Sequence, residues 1–391
     1  MAEAPDPPQI PEPRWPLGLV QREVVLVVVL AGAAVVLFGM TRSVAEWTEE
    51  TRAETAATWF ERGQALVAAG RLDEGIVALR RAASRERLNA TYALELVRAL
   101  TDSSQGEDAR AEARRRLVQL RERDPDQPEI NVRLARLSAA AGTVDEAIRY
   151  YNHAIYGLVP DTSGFDRRRI RVELATFLLD AGDRERALGE LFALSPDVPD
   201  TAADRLELGR LFLRAGDARS ALAQAAAALR RQPGHAPASA VAGEAAFALG
   251  SFAQAERYLE AAARDGAGDA WRVQATLDTV RLVRALHPLS SGLVSSERVR
   301  RLRAGLDWAA GRLRACAGET EATEPPADPR AVEIAAFRRQ PLAVLRETDT
   351  LVAGVDLIVR AIEEIRRRCP DRDPAEGAWL AIAAASGADG R

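Results

Sequence analysis

The chain has 391 residues, 47% of them hydrophobic, which excludes disorder along its whole length and leaves room for more than one folding unit. Aromatic residues make up only 5% while alanine abounds, a composition that favours closely packed helices over a sheet and points to an all-α fold. A formal net charge of −4 supplies no positive field for phosphate contacts, so no nucleic acid partner is expected.

All 53 basic residues are Arg, which reads as codon bias of a GC-rich genome rather than as a binding device. Cys316 and Cys369 are too few for a disulfide scaffold or a zinc site, and neither belongs to a CxxC. His153, His235 and His287 lie far apart without metal-ligand spacing. Neither a metal nor a cofactor is expected.

The chain opens on a proline-rich stretch, MAEAPDPPQIPEPRWP, whose prolines fix φ and remove backbone donors. Residues 1–21 are expected to form a disordered tail. Residues 22–42 follow as a candidate transmembrane helix. Val24 to Met40 reads VVLVVVLAGAAVVLFGM, and 19 residues separate Arg22 from Arg42. At about 1.5 Å per helical residue this spans roughly 28 Å, close to the ~30 Å of a bilayer core. Arg22 and Arg42 can snorkel to opposite interfaces, and Trp15 and Trp47 stand where an aromatic belt falls.

A buried globular helix of this kind would need cover on every side. A cleaved signal peptide, with Ser43-Val44-Ala45 as its site, would have an apolar region of only about 7–15 residues. An uncleaved anchor is therefore expected. Its orientation is open by arginine count, since Arg14 and Arg22 face Arg42 and Arg52. Glu46, Glu49 and Glu50, with a disulfide if one forms, favour a cytoplasmic N-terminus and a large domain on the outer side of the inner membrane; a cytoplasmic domain is the alternative.

Beyond Ala45 the chain repeats itself. Gly182, Gly216 and Gly250 are spaced by 34 residues each time. A small residue stands seven positions before each glycine (Ala175, Gly209, Gly243) and an alanine five after (Ala187, Ala221, Ala255). Four further on come Leu191, Ala225 and Leu259, then Leu194, Ala228 and Ala262, the spacing of one packed helix face. Each unit is a helical hairpin. The pattern also fits Gly63, Gly70, Gly75, Leu79 and Ala82, and again Ala135, Gly142, Ala147, Tyr151 and Ala154. Between these, Ala90 to Asp124 is a degenerate unit with a longer turn at 102–106, so six hairpins are expected over residues 55–266.

These positions resemble the tetratricopeptide repeat family: Trp59, Gly63, Gly209, Gly243, Ala147, Ala187, Ala221 and Ala255 stand at its Trp, Gly and Ala sites, and Pro125 and Pro233 match its unit-ending proline. The resemblance implies a solenoid whose first helices line a concave groove that receives peptide segments or partner helices. Carried onto this chain, the lining becomes Phe60, Gln64, Arg136, Thr176, Asp180, Arg210, Arg214, Glu244 and Phe247. The row lacks the asparagines and lysines with which the family's chaperone-tail binders clamp a carboxylate, so that adaptor role is not expected.

After Gly268 the period stops. Residues 269–317 are expected to supply capping helices, one over Trp271–Leu286 and one beginning at Ser295-Ser296-Glu297. Residues 318–329, containing GETEATEPPADP, read as a linker. Residues 330–386 resume helix from Val332 to Cys369, with a short last helix from Gly377 to Ala385. Cys316 and Cys369 each close a helix, and pairing them would staple the bundle; two reduced thiols are the alternative.

No nucleophile, base and acid arrangement, phosphate-cradling glycine loop or HExxH motif occurs, so no enzyme activity is expected. The leading expectation is a membrane-anchored scaffold of the bacterial envelope that binds proteins for assembly, secretion or quality control. It resembles single-span repeat proteins that accompany export machinery. The alternatives are a permanent structural subunit of a large membrane complex, packed through Gly32, Ala33, Ala34 and Gly39, and a regulatory domain for an envelope enzyme.

Overall fold

Alanine and leucine at helical spacing, interrupted every dozen or so residues by a glycine or proline, give a chain of helices and short turns. The structure is a computed structural model that describes residues 17–87, 89–102, 106–157, 165–266, 269–318 and 328–388; within the first helix, side chains are described at Leu26, over 30–42 and from Thr55 onward. Among the described residues there is no strand. The chain divides into two compact units between Phe165 and Asp166.

The first unit contains α1 (Leu17–Ala68), α2 (Leu72–Arg85), α3 (Ala90–Leu100), α4 (Glu107–Arg121), α5 (Pro128–Ala140) and α6 (Val144–Tyr156). They pair as three hairpins, α1 with α2, α3 with α4 and α5 with α6. Close packing comes from small residues at the crossings. A methyl group on Gly63 would stand 2.7 Å from Leu79 Cγ, and one on Gly75 would stand 2.6 Å from Val67 Cγ2. The core of this unit runs through Ile76, Leu79, Leu96, Leu100, Leu117 and Leu134.

Ion pairs tie one hairpin to the next. Arg80 donates through Nε and Nη2 to both oxygens of Glu112, and Arg114 donates through Nη2 to both oxygens of Glu146, each across 32 residues. The hydrogen bond from Arg114 holds the Glu146 carboxyl below its ordinary range.

In the second unit the hairpins are α7 (Arg167–Asp180) with α8 (Arg184–Leu194), α9 (Ala202–Ala215) with α10 (Ala218–Arg231), and α11 (Ala236–Ala248) with α12 (Phe252–Arg264). The turns explain the 34-residue period. Gly216 sits at φ 89°, which a side chain resists, and its N–H bonds back to the Leu213 carbonyl to end α9. Asp217 then accepts from the Ser220 N–H and starts α10, as Asp183 does for α8 through Arg186. A glycine followed by a capping acid thus turns one helix into the next.

Six further helices complete this unit: α13 (Ala270–Leu286), α14 (Ser295–Cys316), α15 (Pro329–Arg338), α16 (Leu342–Leu345), α17 (Thr348–Arg368) and α18 (Pro374–Ala388). Their core, with Leu302, Leu306, Val355, Ile358, Ile362 and Trp379, is continuous with Phe252 and Leu259 of the last hairpin. Trp379 is fully buried against Gly305, where a methyl group would meet the indole at 2.1 Å. Cys316 and Cys369 are joined as a disulfide with their Cα atoms 5.7 Å apart. Beside it, buried Asp328 caps α15 and pairs with Arg368, while buried Glu376 accepts from Arg366 at 3.1 Å.

Three local expectations differ from the structure. The helix expected over Val332–Cys369 is broken into α15, α16 and α17 near Pro341, which has no N–H to continue a helix and disfavours helical geometry in the residue before it. The last helix starts at Pro374 rather than Gly377, because proline suits the first helical turn. At α14, Ser295 and Ser296 are already helical, and Val294 stands at the cap position with no side-chain bond.

The expected tail of residues 1–21 lies outside the described residues up to Pro16, as does the linker between Glu319 and Ala327. Among the described residues no helix is long and apolar enough to cross a membrane. The expected span, Val24–Met40, lies within α1 and has described side chains only at Leu26 and from Leu30 onward. Those that are described are bare: every residue over 30–42 is exposed, including Leu30 (59%), Val35 (71%) and Phe38 (68%).

Candidate partner-binding surface

Within each hairpin the second helix buries its small and leucine face against the first, which leaves the outer face of the first helix as the surface the repeats can offer. In the first unit that face carries Phe60, Gln64 and Arg136. Phe60 is half-buried, its ring 4.5 Å from that of Tyr92, so it serves the packing of α1 on α3. Gln64 and Arg136 are exposed.

In the second unit, Asp180 and Arg214 stand one period apart and form an exposed ion pair at 2.7 Å that bridges α7 and α9. Arg210, one turn earlier on α9, is exposed and pairs with no acid among the described residues. Thr176 is half-buried and donates to the Val172 carbonyl at 2.8 Å. Glu244 binds Arg272 at 3.1 Å, linking α11 to α13. Phe247 is half-buried with its ring 5.7 Å from Phe252, inside the core that the C-terminal helices complete. Within the second unit the charged members of the row are tied into inter-helix ion pairs at Asp180, Arg214 and Glu244, while the two phenylalanines belong to the packing.

The structure adds a cavity that the pattern does not reveal. Between the first turns of α7 and the first half of α9 lies a pocket of about 190 Å³, floored by Val172, Leu194, Leu208 and Leu211 and closed on one side by Val198 and Pro199. Leu194, Leu208 and Leu211 are buried, so the floor is fixed by the core. The wall belongs to the connection from α8 to α9, a 3₁₀ turn at Ser195–Asp197 and the residues after it. Arg205 anchors this connection through Asp200 at 3.2 Å, Gln224 donates to Ser195 at 3.4 Å, and Thr201 caps α9 through the Asp204 N–H.

Asp166, Arg168, Arg169, Asp204 and Glu207 surround the opening. Asp166 is committed to capping α7, with Arg168 3.6 Å away. Arg169 and Glu207 have no side-chain ion pair among the described residues, so a cation and an anion flank an apolar floor. The size suits one aliphatic or aromatic side chain, with main-chain or charged groups held at the rim. Sequence spacing missed this pocket because its wall is not periodic. The visible signal was the pair Pro196 and Pro199, which stops α8 from running on and forces a formed connection.

Among the described residues no group of His, Cys, Asp and Glu converges in a way that would hold a metal ion. Burial raises the Glu190 carboxyl on α8, against Arg171 at 3.5 Å on α7. That pair sits between the helices of one hairpin.

The sequence profile of the tetratricopeptide repeat matches residues 105–161 and 206–270. Among solved structures, the chain is similar to YrrB, described as a TPR protein with an unusual peptide-binding site, at 18% identity over 50% of this chain and 96% of that one (TM-score 0.40). It is similar to Pseudomonas aeruginosa pilF at 15% identity over 57% and 99% (0.41), and to the C-terminal part of a TPR repeat-containing protein from Cytophaga hutchinsonii at 10% over 81% and 98% (0.44). No curated protein matches the chain. The profile falls on α4 to α6 and on α9 to α12, and these segments of the chain are tetratricopeptide repeats.

Proposed function

We propose that this chain is a membrane-anchored scaffold that holds protein partners on the outer faces of its first helices. The observation that carries the reading is α1, a single helix whose residues 55–68 form the first repeat helix and whose residues 30–42 are exposed all round. An apolar surface on every side of a helix has no use in water; in a bilayer it is the solvated state. The apolar segment and the first repeat helix are thus parts of one continuous helix.

The partner is proposed to engage the second unit with an apolar side chain in the pocket floored by Leu208 and Leu211, its flanking groups meeting Arg169, Glu207 and Arg210. The disulfide between Cys316 and Cys369 supports repeats on the outer side of the inner membrane, since structural disulfides persist in oxidising compartments. No catalytic role is assigned to any residue.

Two experiments test this. Alkaline carbonate should leave the full chain in the membrane pellet, and protease added to spheroplasts should digest the repeats; release by carbonate removes the anchor. A photo-crosslinker at Arg169 or Arg210 should give discrete protein adducts that disappear when Glu207 is changed to Arg. Adducts indifferent to that change would remove the pocket from the interface. If a partner survives stringent salt washing in fixed ratio, the chain is a permanent subunit rather than a scaffold that exchanges its cargo.

A further inference from the structure

The first unit carries a second feature that the repeat pattern does not require. Helix α2 packs antiparallel on α1: Leu79 lies over Gly63, and the Arg81 guanidinium stacks 4.4 Å above the Trp59 ring. The C-terminal turn of α2 is therefore brought back to the level of about residue 55 of α1, on the side facing the apolar segment. Helix α3 reverses the direction and α4 restores it, held alongside α2 by the Arg80 and Glu112 pair at 2.7 Å. Both α2 and α4 thus end at the same pole of the unit.

Between those ends lies a cavity of about 590 Å³ lined by Ser84, Arg87, Arg116, Gln119, Glu122 and Arg123. Arg116 is occupied by Glu112 at 2.9 Å. Arg87 and Arg123 are exposed and pair with no acid among the described residues, which leaves two guanidinium groups against one lining carboxylate, Glu122.

We propose that this cavity binds the phosphate of an anionic lipid head group. The inference rests on the reading that Val24–Met40 crosses the bilayer. Thr55 stands 13 positions beyond Arg42, about 20 Å along a helix, and Trp47 marks how far the interfacial layer reaches along that distance. From Trp47 the arginines stand about 12 Å away on an upright helix. An ordinary tilt of about 20° toward the α2 side, with the reach of an arginine side chain, closes that gap. Arginine offers phosphate a planar, bidentate fork, and a polar cavity of this size admits one head group rather than a folded partner. The lipid also fixes the rotation of α1 about its axis, because the two arginines, which follow α2 and α4, stand on the α2 side of it.

The test uses the full chain in nanodiscs of zwitterionic phosphatidylcholine, or of the same lipid with about one-third phosphatidylglycerol, read by hydrogen exchange. In the anionic discs, exchange over residues 84–93 and 119–124 is expected to slow about fivefold. Arg87→Gln with Arg123→Gln abolishes the difference, and Arg87→Lys with Arg123→Lys keeps most of it. Equal exchange in both discs, with the chain co-eluting with both, overturns the lipid site and leaves the anchor standing. Failure to co-elute with either disc removes the anchor and the site together. Equal protection by millimolar inorganic phosphate, or by a soluble phosphopeptide, in zwitterionic discs would assign the cavity to that ligand and overturn the lipid reading.

Discussion

Gly209 and Gly243 occupy the same position of successive repeats, yet alanine at the two sites should act in opposite directions. Each faces the residue 16 positions on in its own hairpin, which is Ala225 for Gly209 and Leu259 for Gly243. A methyl group on Gly209 would rest at 3.4 Å from the Ala221 carbonyl oxygen and the Gln224 Cβ, and 3.5 Å from the Ala225 nitrogen, all ordinary contacts. The substitution then gains only the helix preference of alanine, about 0.5–1 kcal/mol. On Gly243 the methyl would fall 2.6 Å from Leu259 Cγ and 2.8 Å from Cδ2, with the Leu259 nitrogen at 3.3 Å. Leu259 is fully buried and has no free direction in which to turn. Overpacking of this kind costs roughly 1–3 kcal/mol, more than the helix preference returns. At about 2–4 °C per kcal/mol for a unit of this size, Gly243→Ala, with a net cost of roughly 0.5–2 kcal/mol, should lower the melting temperature by about 1–8 °C, and Gly209→Ala should raise it by about 1–4 °C. Thermal unfolding of the detergent-solubilised chain, followed by circular dichroism, measures both. If the two variants move together, the claim that the facing residue decides the tolerance of this position is wrong.

Three further outcomes follow from the second unit. Replacing Cys316 and Cys369 by serine should cost about 4 kcal/mol in the chain-entropy estimate for a 53-residue separation; native protein that takes up a thiol reagent without reductant would contradict the bond. Trp379→Ala should destabilise by about 3–5 kcal/mol, and adding Gly305→Ala should recover part of the loss by filling the vacated space, which urea titration of the single and double variants would show. Burial, with Arg301 nearby, depresses the His287 imidazole to about 4. The unfolded chain takes up that proton near pH 6.5 and the folded chain does not. Stability should therefore fall by roughly 2 kcal/mol between about pH 6.5 and 4, after allowance for partial exposure. His287→Phe should flatten that slope in melts across the range, and an unchanged slope would assign it to other groups.

The repeat was legible in the sequence because it is written in backbone requirements. A glycine that must take positive φ recurs at Gly70, Gly142, Gly182, Gly216 and Gly250, and in two of these turns an aspartate, Asp183 or Asp217, caps the next helix. The small residue at Gly63, Gly209 and Gly243 is equally local in origin, since two helices cross there at close range. Asp180 and Arg214 stand one period apart in the sequence, but that they bridge two helices is visible only in the structure.

What the sequence could not supply lies where distant segments meet without period. The pocket over Leu208 and Leu211 depends on how Val198 and Pro199 are folded back by Arg205 and Gln224, contacts that no spacing encodes. Phe60 and Phe247 match the position of a groove lining, but Tyr92 and Phe252 draw their rings into the packing, because apolar area within reach of a core is buried rather than presented. The cavity of Arg87 and Arg123 arises only when antiparallel pairing returns α2 and α4 to one pole. The sequence by itself therefore determined the hairpin and its period, which are local properties of turns, caps and crossings; the tertiary structure alone decided which charged side chains remain unpaired around a cavity, because that depends on what each neighbouring helix has already consumed.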